Sequence, residues 1–412
     1  MRVLLIVVAV LLLTAVVGVI WLTGKPHVTP LLPPDEEQAL DALLPPGVER
    51  GNHITTYASL SAMYDTLLAD IASARQHIHL QFFKFEDDAT AREVGDALAA
   101  KAAEGVEARL MYDDFVCQPW KGYYRQLETR GMATAGFGRV RWPFIHKQDY
   151  YRNHRKCVVV DGRIAYLGGI NIADRYLHGL PWGCWRDTMI RIEGPAALAV
   201  QRAFAADWRH AGRGLLADRS YFPAVAPAGT LPLHLITSGP IGQGPTIMHH
   251  TIGMLDAAHR YVWFESPYFI PPAPLRQALL RAARRGVDVR VLLPPRSDRG
   301  ETTQWASKSY LAEMLDAGVR FGFYQPGYLH SKLVVSDDRE AMVGSCNIDP
   351  RSYLLCQEVA AVVDDAAFAA ELRDLFLADE AQSIPVDPAR WAQRPLGEKA
   401  MEQLTRLAAS QL

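Results

Sequence analysis

One phrase occurs twice in this 412-residue chain, 176 positions apart, and it restricts the fold more than any other feature. The first copy is His154-Arg155-Lys156, then Asp161, then Gly168-Gly169-Ile170-Asn171. The second is His330-Ser331-Lys332, then Asp337, then Gly344-Ser345-Cys346-Asn347. The steps from His to Lys, Asp, Gly and Asn are 2, 5, 7 and 3 residues in both copies. A lone H-x-K triplet is uninformative, but a four-point spacing kept twice calls for one supersecondary unit built twice. The local pattern identifies that unit. An apolar run (Cys157 to Val160; Leu333 to Val335) enters a charged turn (Asp161-Gly162-Arg163; Asp337-Asp338-Arg339). A second apolar run follows (Ile164 to Leu167; Ala341 to Val343). Strand, tight turn, strand is the predicted local structure.

Side chains two apart on a strand share a face, so His and Lys of each copy point the same way. The glycines that follow allow close backbone approach, and the Asn amide can donate to an oxygen. One unit thus offers an imidazole, an ammonium and an amide, which is half a phosphate site. Two units related by pseudo-symmetry give two of each around one phosphorus. The Lys and Asn pairs can hold non-bridging oxygens, one neutral His can attack in line, and the other, as imidazolium, can protonate the leaving oxygen. Such a site supplies its own positive charge, so no metal or other cofactor is expected. A carboxylate on Nδ1 of a ring would fix its tautomer and favour its charged form. Candidates stand at similar places downstream of the two motifs: Asp187, in Trp-Arg-Asp-Thr, and Glu358, in Cys-Gln-Glu-Val. At this level either His can be the nucleophile.

The paired phrase resembles the duplicated H-x-K-x4-D signature of the phospholipase D superfamily. The surrounding segments resemble bacterial cardiolipin synthases: Tyr151 to Lys156, Gly168 to Asp174, Trp185 to Pro195, Phe264 to Pro272 and Gly327 to Lys332. The resemblance runs from about Gly51 to the region of Phe376. It implies that His154, Lys156, Asn171, His330, Lys332 and Asn347 are the phosphate-binding and catalytic set. Asp161 and Asp337 belong to the signature, and the resemblance implies a structural role for them, away from the phosphate.

The length suits two domains, and weak internal symmetry supports two homologous halves. Arg75 to Leu80 leads to Phe82-Phe83 and a helical stretch reaching Gly105; His259 to Phe264 leads to Tyr268-Phe269 and a helical stretch reaching Gly286. Each reads as strand, Ala- and Leu-rich helix closed by Gly, strand. The expected fold class is α/β: two pseudo-symmetric α/β-sandwich domains of the phospholipase D type with mixed sheets, over residues 51–225 and 226–412, the second ending in a helical tail. In that tail Leu396, Met401, Leu404 and Leu407 recur at roughly helical spacing, expected as the face that packs on its own domain.

Val3 to Leu22 contains no charged residue, and about 20 residues at about 1.5 Å rise cross a hydrocarbon core. With no clear A-x-A site after it, residues 3–23 are expected as an uncleaved single transmembrane helix rather than a signal peptide. Residues 24–50, Pro-rich with an acidic middle at Asp35-Glu36-Glu37, are expected as a stiff, partly extended tether. Five cysteines without a C-x-x-C pair argue against a disulfide framework. Charge narrows the partners. Lys plus Arg total 43 against 45 acids, so nucleic acid is not expected, although the superfamily includes nucleases. The expected partners are phospholipids (phosphatidylglycerol, with phosphatidylethanolamine left open as a donor) and a membrane, with Arg139, Arg141, Lys147 and Arg152 among Trp142, Phe144, Tyr150 and Tyr151 as a candidate lipid-contacting cluster. The resemblance implies a phosphatidyltransferase in the bacterial cell membrane, its face undecided by the few flanking charges. It would join two phosphatidylglycerols into cardiolipin and glycerol through a phosphohistidine. If water is the acceptor instead, the same site is a phospholipase D.

Overall fold

A computed structural model describes residues 30–139 and 147–407. The expected membrane span at residues 3–23 lies outside the described residues. Among the described residues no helix is long and apolar enough to cross a membrane.

Two mixed sheets repeat one topology. The first runs, in spatial order, His53–Tyr57, Met189–Glu193, Ile164–Gly168, Cys157–Val160, His77–Phe82, Glu107–Asp113, Ala133–Phe137. The second runs His234–Ser238, Cys356–Asp364, Glu340–Gly344, Leu333–Ser336, Tyr261–Glu265, Asp288–Leu293, Arg320–Tyr324, with Ser383–Pro385 added at the edge. Element by element the orders correspond. In both, the motif hairpin is antiparallel and the strand-helix-strand unit beside it is parallel. Leu80 pairs with Leu110 on one side and Val158 on the other, as Phe264 pairs with Val291 and Val334.

The parallel units close as their sequence predicts. The helices Ala89–Ala103 and Ala273–Arg284 end before Gly105 (φ 92°) and Gly286 (φ 87°), and the next amides, Val106 and Val287, return to the carbonyls of Lys101 and Ala282. The motif hairpins turn through Asp161-Gly162 and Asp337-Asp338, all with φ between 51° and 64°, closed by Arg163 N–H to Val160 and Arg339 N–H to Ser336. Two left-handed residues make a type I′ turn, whose twist matches the flanking strands.

The continuous apolar character of the motif strands has a packing cause. Val158 and Val160 join the core under the outer helices Leu60–Ser73 and Ala89–Ala103, while Val159 joins a central core. Likewise Val334 faces the outer helices Thr246–Ala257 and Ala273–Arg284, while Leu333 and Val335 face the centre. The central core holds residues of both sheets (Val159, Leu167 and Ile190 with Val335, Val343 and Ala361), so the halves form one body with the sheets apposed. Strands buried on both faces have no polar side to show.

Three expectations need correction. The segment read as a tether over residues 24–50 is not extended throughout: Pro34–Asp41 is a helix docked on the helix Ala197–His210. Arg202 meets Asp41 at 2.8 Å and Arg209 meets Glu36 at 2.8 Å, and Leu40 is fully buried. The acidic middle is the first turn of that helix, where Pro and negative charge both fit. Second, two members of the basic-aromatic cluster are interior residues rather than surface ones. Arg152 is buried with its guanidinium 3.4 Å from Asp113, and Tyr151 is buried; Arg141, Trp142 and Phe144 lie outside the described residues. Third, the tail helix Leu396–Leu407 turns its polar side inward and its leucines outward.

Candidate active site

Two short crossing ladders build the site. Arg152–Asn153, just before the first His, pairs parallel with Cys356-Gln357 of the other half; Gly327–Leu329, just before the second His, pairs parallel with Cys184–Arg186. His154 N–H then donates to the Gln357 carbonyl at 2.9 Å, and His330 N–H to Arg186 at 2.7 Å. The next residue on each partner strand is Glu358 or Asp187. The carboxylates are therefore exchanged between halves. Nδ1 of His154 lies 2.9 Å from Oε1 of Glu358, and Nδ1 of His330 lies 2.6 Å from Oδ2 of Asp187. All four side chains are buried.

Both lysines follow the same pattern. Lys156 donates to the carbonyl of His154, and Lys332 to that of His330, with its Nζ 2.8 Å from Nδ1 of His330. Asn171 donates to the Tyr176 hydroxyl at 3.0 Å and accepts from the Lys84 amide at 3.0 Å. Asn347 keeps a buried Oδ1 with no hydrogen-bond partner among the described residues. Asp161 and Asp337 stand apart from this cluster. Each accepts three backbone N–H groups at the start of the neighbouring strand: Arg75, Gln76 and His77 at 2.8–2.9 Å, and His259, Arg260 and Tyr261 at 2.7–2.9 Å. They are fasteners between hairpin and sheet. Among the described residues no group of three or more His, Cys, Asp or Glu is arranged to hold a metal ion.

A family model described as "Cardiolipin synthase, PLD-like domain" matches residues 67–208 and 251–379. The cardiolipin synthase of Oceanobacillus iheyensis is 35% identical over 361 residues, 87% of this chain and 75% of that protein. The chain belongs to the cardiolipin synthase family of phospholipase D-like proteins. The major cardiolipin synthase ClsA of Bacillus subtilis is 36% identical over 348 residues, covering 84% of this chain and 72% of its own length. Among solved structures, the phosphatidylserine synthase of Haemophilus influenzae has the same fold, with a TM-score of 0.65 at 15% identity, over 92% of this chain and all of that one.

The two half-sites of this family member differ electrostatically. Burial lowers the basicity of both imidazoles, reinforced at His154 by Lys156 and Lys332 and at His330 by Lys332. Asp187 opposes the fall at His330, which settles at about 4. Burial pushes Glu358 up to about 8 despite Lys156. Asp187 is also buried, but Lys332, His330 and the Thr188 amide outweigh that and hold it below the usual carboxylate range. Lys332 is brought down to about 8 by burial, and Lys156 is lowered for the same reason. So an anion faces His330, while His154 faces a carboxyl that is largely uncharged at neutral pH.

The same asymmetry is visible in the motif's variable position. The Ser345 hydroxyl donates to Oε2 of Glu358, bracing it. At the matching position the first copy has Gly169, where a Cβ would collide with the Asp187 carboxylate. Sequence reasoning missed the site's walls. Tyr176 bonds Asn171 and packs edge-on against Trp185, whose ring lies 4.8 Å from that of His330. Phe83 packs edge-on to His154 at 4.8 Å and carries Lys156 5.4 Å over its face. Asp298 accepts from Tyr268 and, at 2.7 Å, from Tyr328. The first two lie beside quoted motif segments and could have been suspected there; Asp298 sits in a loop with no pattern.

Proposed function

We propose that this protein is a membrane-anchored cardiolipin synthase, joining two phosphatidylglycerols into cardiolipin and glycerol through a phosphohistidine. The observation that carries the reading is the pair of histidines, each held at Nδ1 by a carboxylate of the opposite half. An Nδ1–H donated to a carboxyl oxygen, ionised at Asp187 and neutral at Glu358, leaves each Nε2 for the reaction. His154, without a settled anion beside it, stays neutral and attacks phosphorus. The bond from phosphorus to the glycerol headgroup oxygen breaks, and His330, its basicity raised from about 4 once the anionic phosphodiester joins Asp187 in favouring its positive form, gives that oxygen its proton. Glycerol leaves. His330, now neutral, takes the proton from a hydroxyl of the second phosphatidylglycerol, whose oxygen attacks phosphorus as the P–N bond breaks. Lys156, Lys332, Asn171 and Asn347 hold the non-bridging oxygens in both steps. Each half-reaction restores the protons the other used.

Water is the competing acceptor, and a buried centre fed from a bilayer limits its access. The uncharged run Val3–Leu22 supplies a single-span anchor in the bacterial cell membrane. Purified protein in mixed micelles with phosphatidylglycerol should yield cardiolipin and glycerol by lipid mass spectrometry. His154→Ala should form no acid-labile phosphoenzyme, and His330→Ala should form it slowly and retain it. Phosphatidic acid as sole product would replace the synthase reading with a hydrolase.

A further inference from the structure

The tail helix Leu396–Leu407 is built inside out for a protein surrounded by water. Leu396 is 82% exposed, Leu407 84%, Leu404 61% and Met401 45%, whereas Glu402 and Thr405 are 4% and 8% exposed. At about 100° per residue, Leu396, Ala400, Leu404 and Leu407 fall on one stripe, with Glu398, Glu402, Thr405 and Arg406 opposite. The polar stripe is the one that binds the protein. Arg394 pairs with Glu402, and Arg406 donates to the Ser309 carbonyl at 3.2 Å, reaches Glu313 at 3.3 Å and covers the Tyr310 ring at 4.3 Å. The apolar stripe carries no charge and is left uncovered by the described residues.

This helix is joined to the catalytic centre. It packs on the helix Glu301–Lys308, which starts directly after the loop that carries Asp298. Asp298 accepts from Tyr328, whose ring is 5.8 Å from that of His330. On the same Tyr328 ring stands Trp182, edge-on at 6.0 Å and 37% exposed, with the exposed Arg296 guanidinium 5.9 Å over its face. An exposed aromatic under a cation, beside the site, repeats what the helix shows at larger scale: apolar surface beside positive charge.

We propose that Leu396–Leu407 lies in the interface of an anionic lipid bilayer, its leucine stripe among the acyl chains, its polar stripe kept on the protein, and the exposed Arg296 beside Trp182 at the phosphates. Three features favour lipid over a second copy of the chain. The stripe is uncharged and uncovered by the described residues, an apolar and cationic point (Trp182 and Arg296) recurs beside the site, and the substrate proposed above, on which this inference rests, is itself a bilayer lipid. The helix then fixes how the active-site mouth meets the headgroup layer.

The test uses the full chain in vesicles of phosphatidylglycerol and phosphatidylethanolamine. A bimane probe is placed on Leu404→Cys in a Cys184→Ser background, Cys184 being the exposed cysteine. Bromine on the acyl chains should quench the probe by roughly half or more. A chain carrying Leu396→Gln, Leu404→Gln and Leu407→Gln should lose roughly tenfold of its activity on bilayer phosphatidylglycerol and none on a monomeric short-chain form. An unquenched probe overturns the proposal, including where the unlabelled Leu404→Cys thiol instead crosslinks two copies or is shielded by the chain's own apolar segment. Unchanged bilayer activity of the triple variant overturns it too. If the parent turns over neither lipid, the synthase reading falls while the quenching still decides the docking.

Discussion

Asp187→Asn separates the two half-sites. Oδ2 of Asp187 is 2.6 Å from Nδ1 of His330. With charge centres about 4 Å apart and an effective dielectric of about 20, a carboxylate and an imidazolium interact by about 4 kcal/mol. Some of this is recovered by relaxation and by the remaining amide dipole, so a loss of about 2–4 kcal/mol in the protonated state of His330 is expected, or roughly 30- to 1,000-fold in rate. The matching change, Glu358→Gln, should cost less than about tenfold near pH 7, because that carboxyl, pushed up to about 8, is mostly uncharged there. The assay is cardiolipin formation from phosphatidylglycerol in mixed micelles, with kcat and KM separated and a thermal melt of each variant, since Asp187 also accepts the Thr188 amide at 2.9 Å. The loss should fall on kcat. Equal costs for the two variants, or a larger one for Glu358→Gln, would refute the assignment of His330 as proton donor and of His154 as nucleophile.

Glu358→Gln should also change stability with pH. The parent carboxyl rises from 4.5 to about 8 on folding, so the native state holds its proton more tightly and the parent loses stability as pH climbs between those values. The variant has no such proton, and its melting free energy relative to the parent should improve by about 4 kcal/mol between about pH 5 and about pH 8.5. Asp161→Ala removes the carboxylate that accepts from three backbone N–H groups and places alanine at φ 51°, which should destabilise by about 2–3 kcal/mol in urea melts while kcat of the folded fraction stays within about twofold. A large kcat loss there would make the motif Asp more than a fastener. Gly169→Ser copies the second motif into the first, but its Cβ drives against Asp187, so activity should drop at least about tenfold with the fold kept, by circular dichroism and cardiolipin yield.

Much of this protein is local and therefore legible in one dimension. The hairpins follow from apolar runs either side of Asp161-Gly162 and Asp337-Asp338, the parallel units from Ala-rich helices closed at Gly105 and Gly286, and the set of reactive side chains from a spacing kept twice. Asp187 and Glu358 could even be named as ring partners. Pairing them was another matter: the ladders that bring Asn153 beside Gln357 and Leu329 beside Arg186 join strands far apart in the chain, and no periodicity encodes such a match. The same limit hid Arg152, whose charge suggested a surface until Asp113 met it in the interior, and Pro34–Asp41, whose prolines suggested extension until Arg202 and Arg209 gave its acidic turn a partner. It inverted the tail helix as well. A stripe of leucines states that one face differs from the other, but only the neighbours in space decide which face meets the protein. Here Glu313 and the Ser309 carbonyl claimed the charged one.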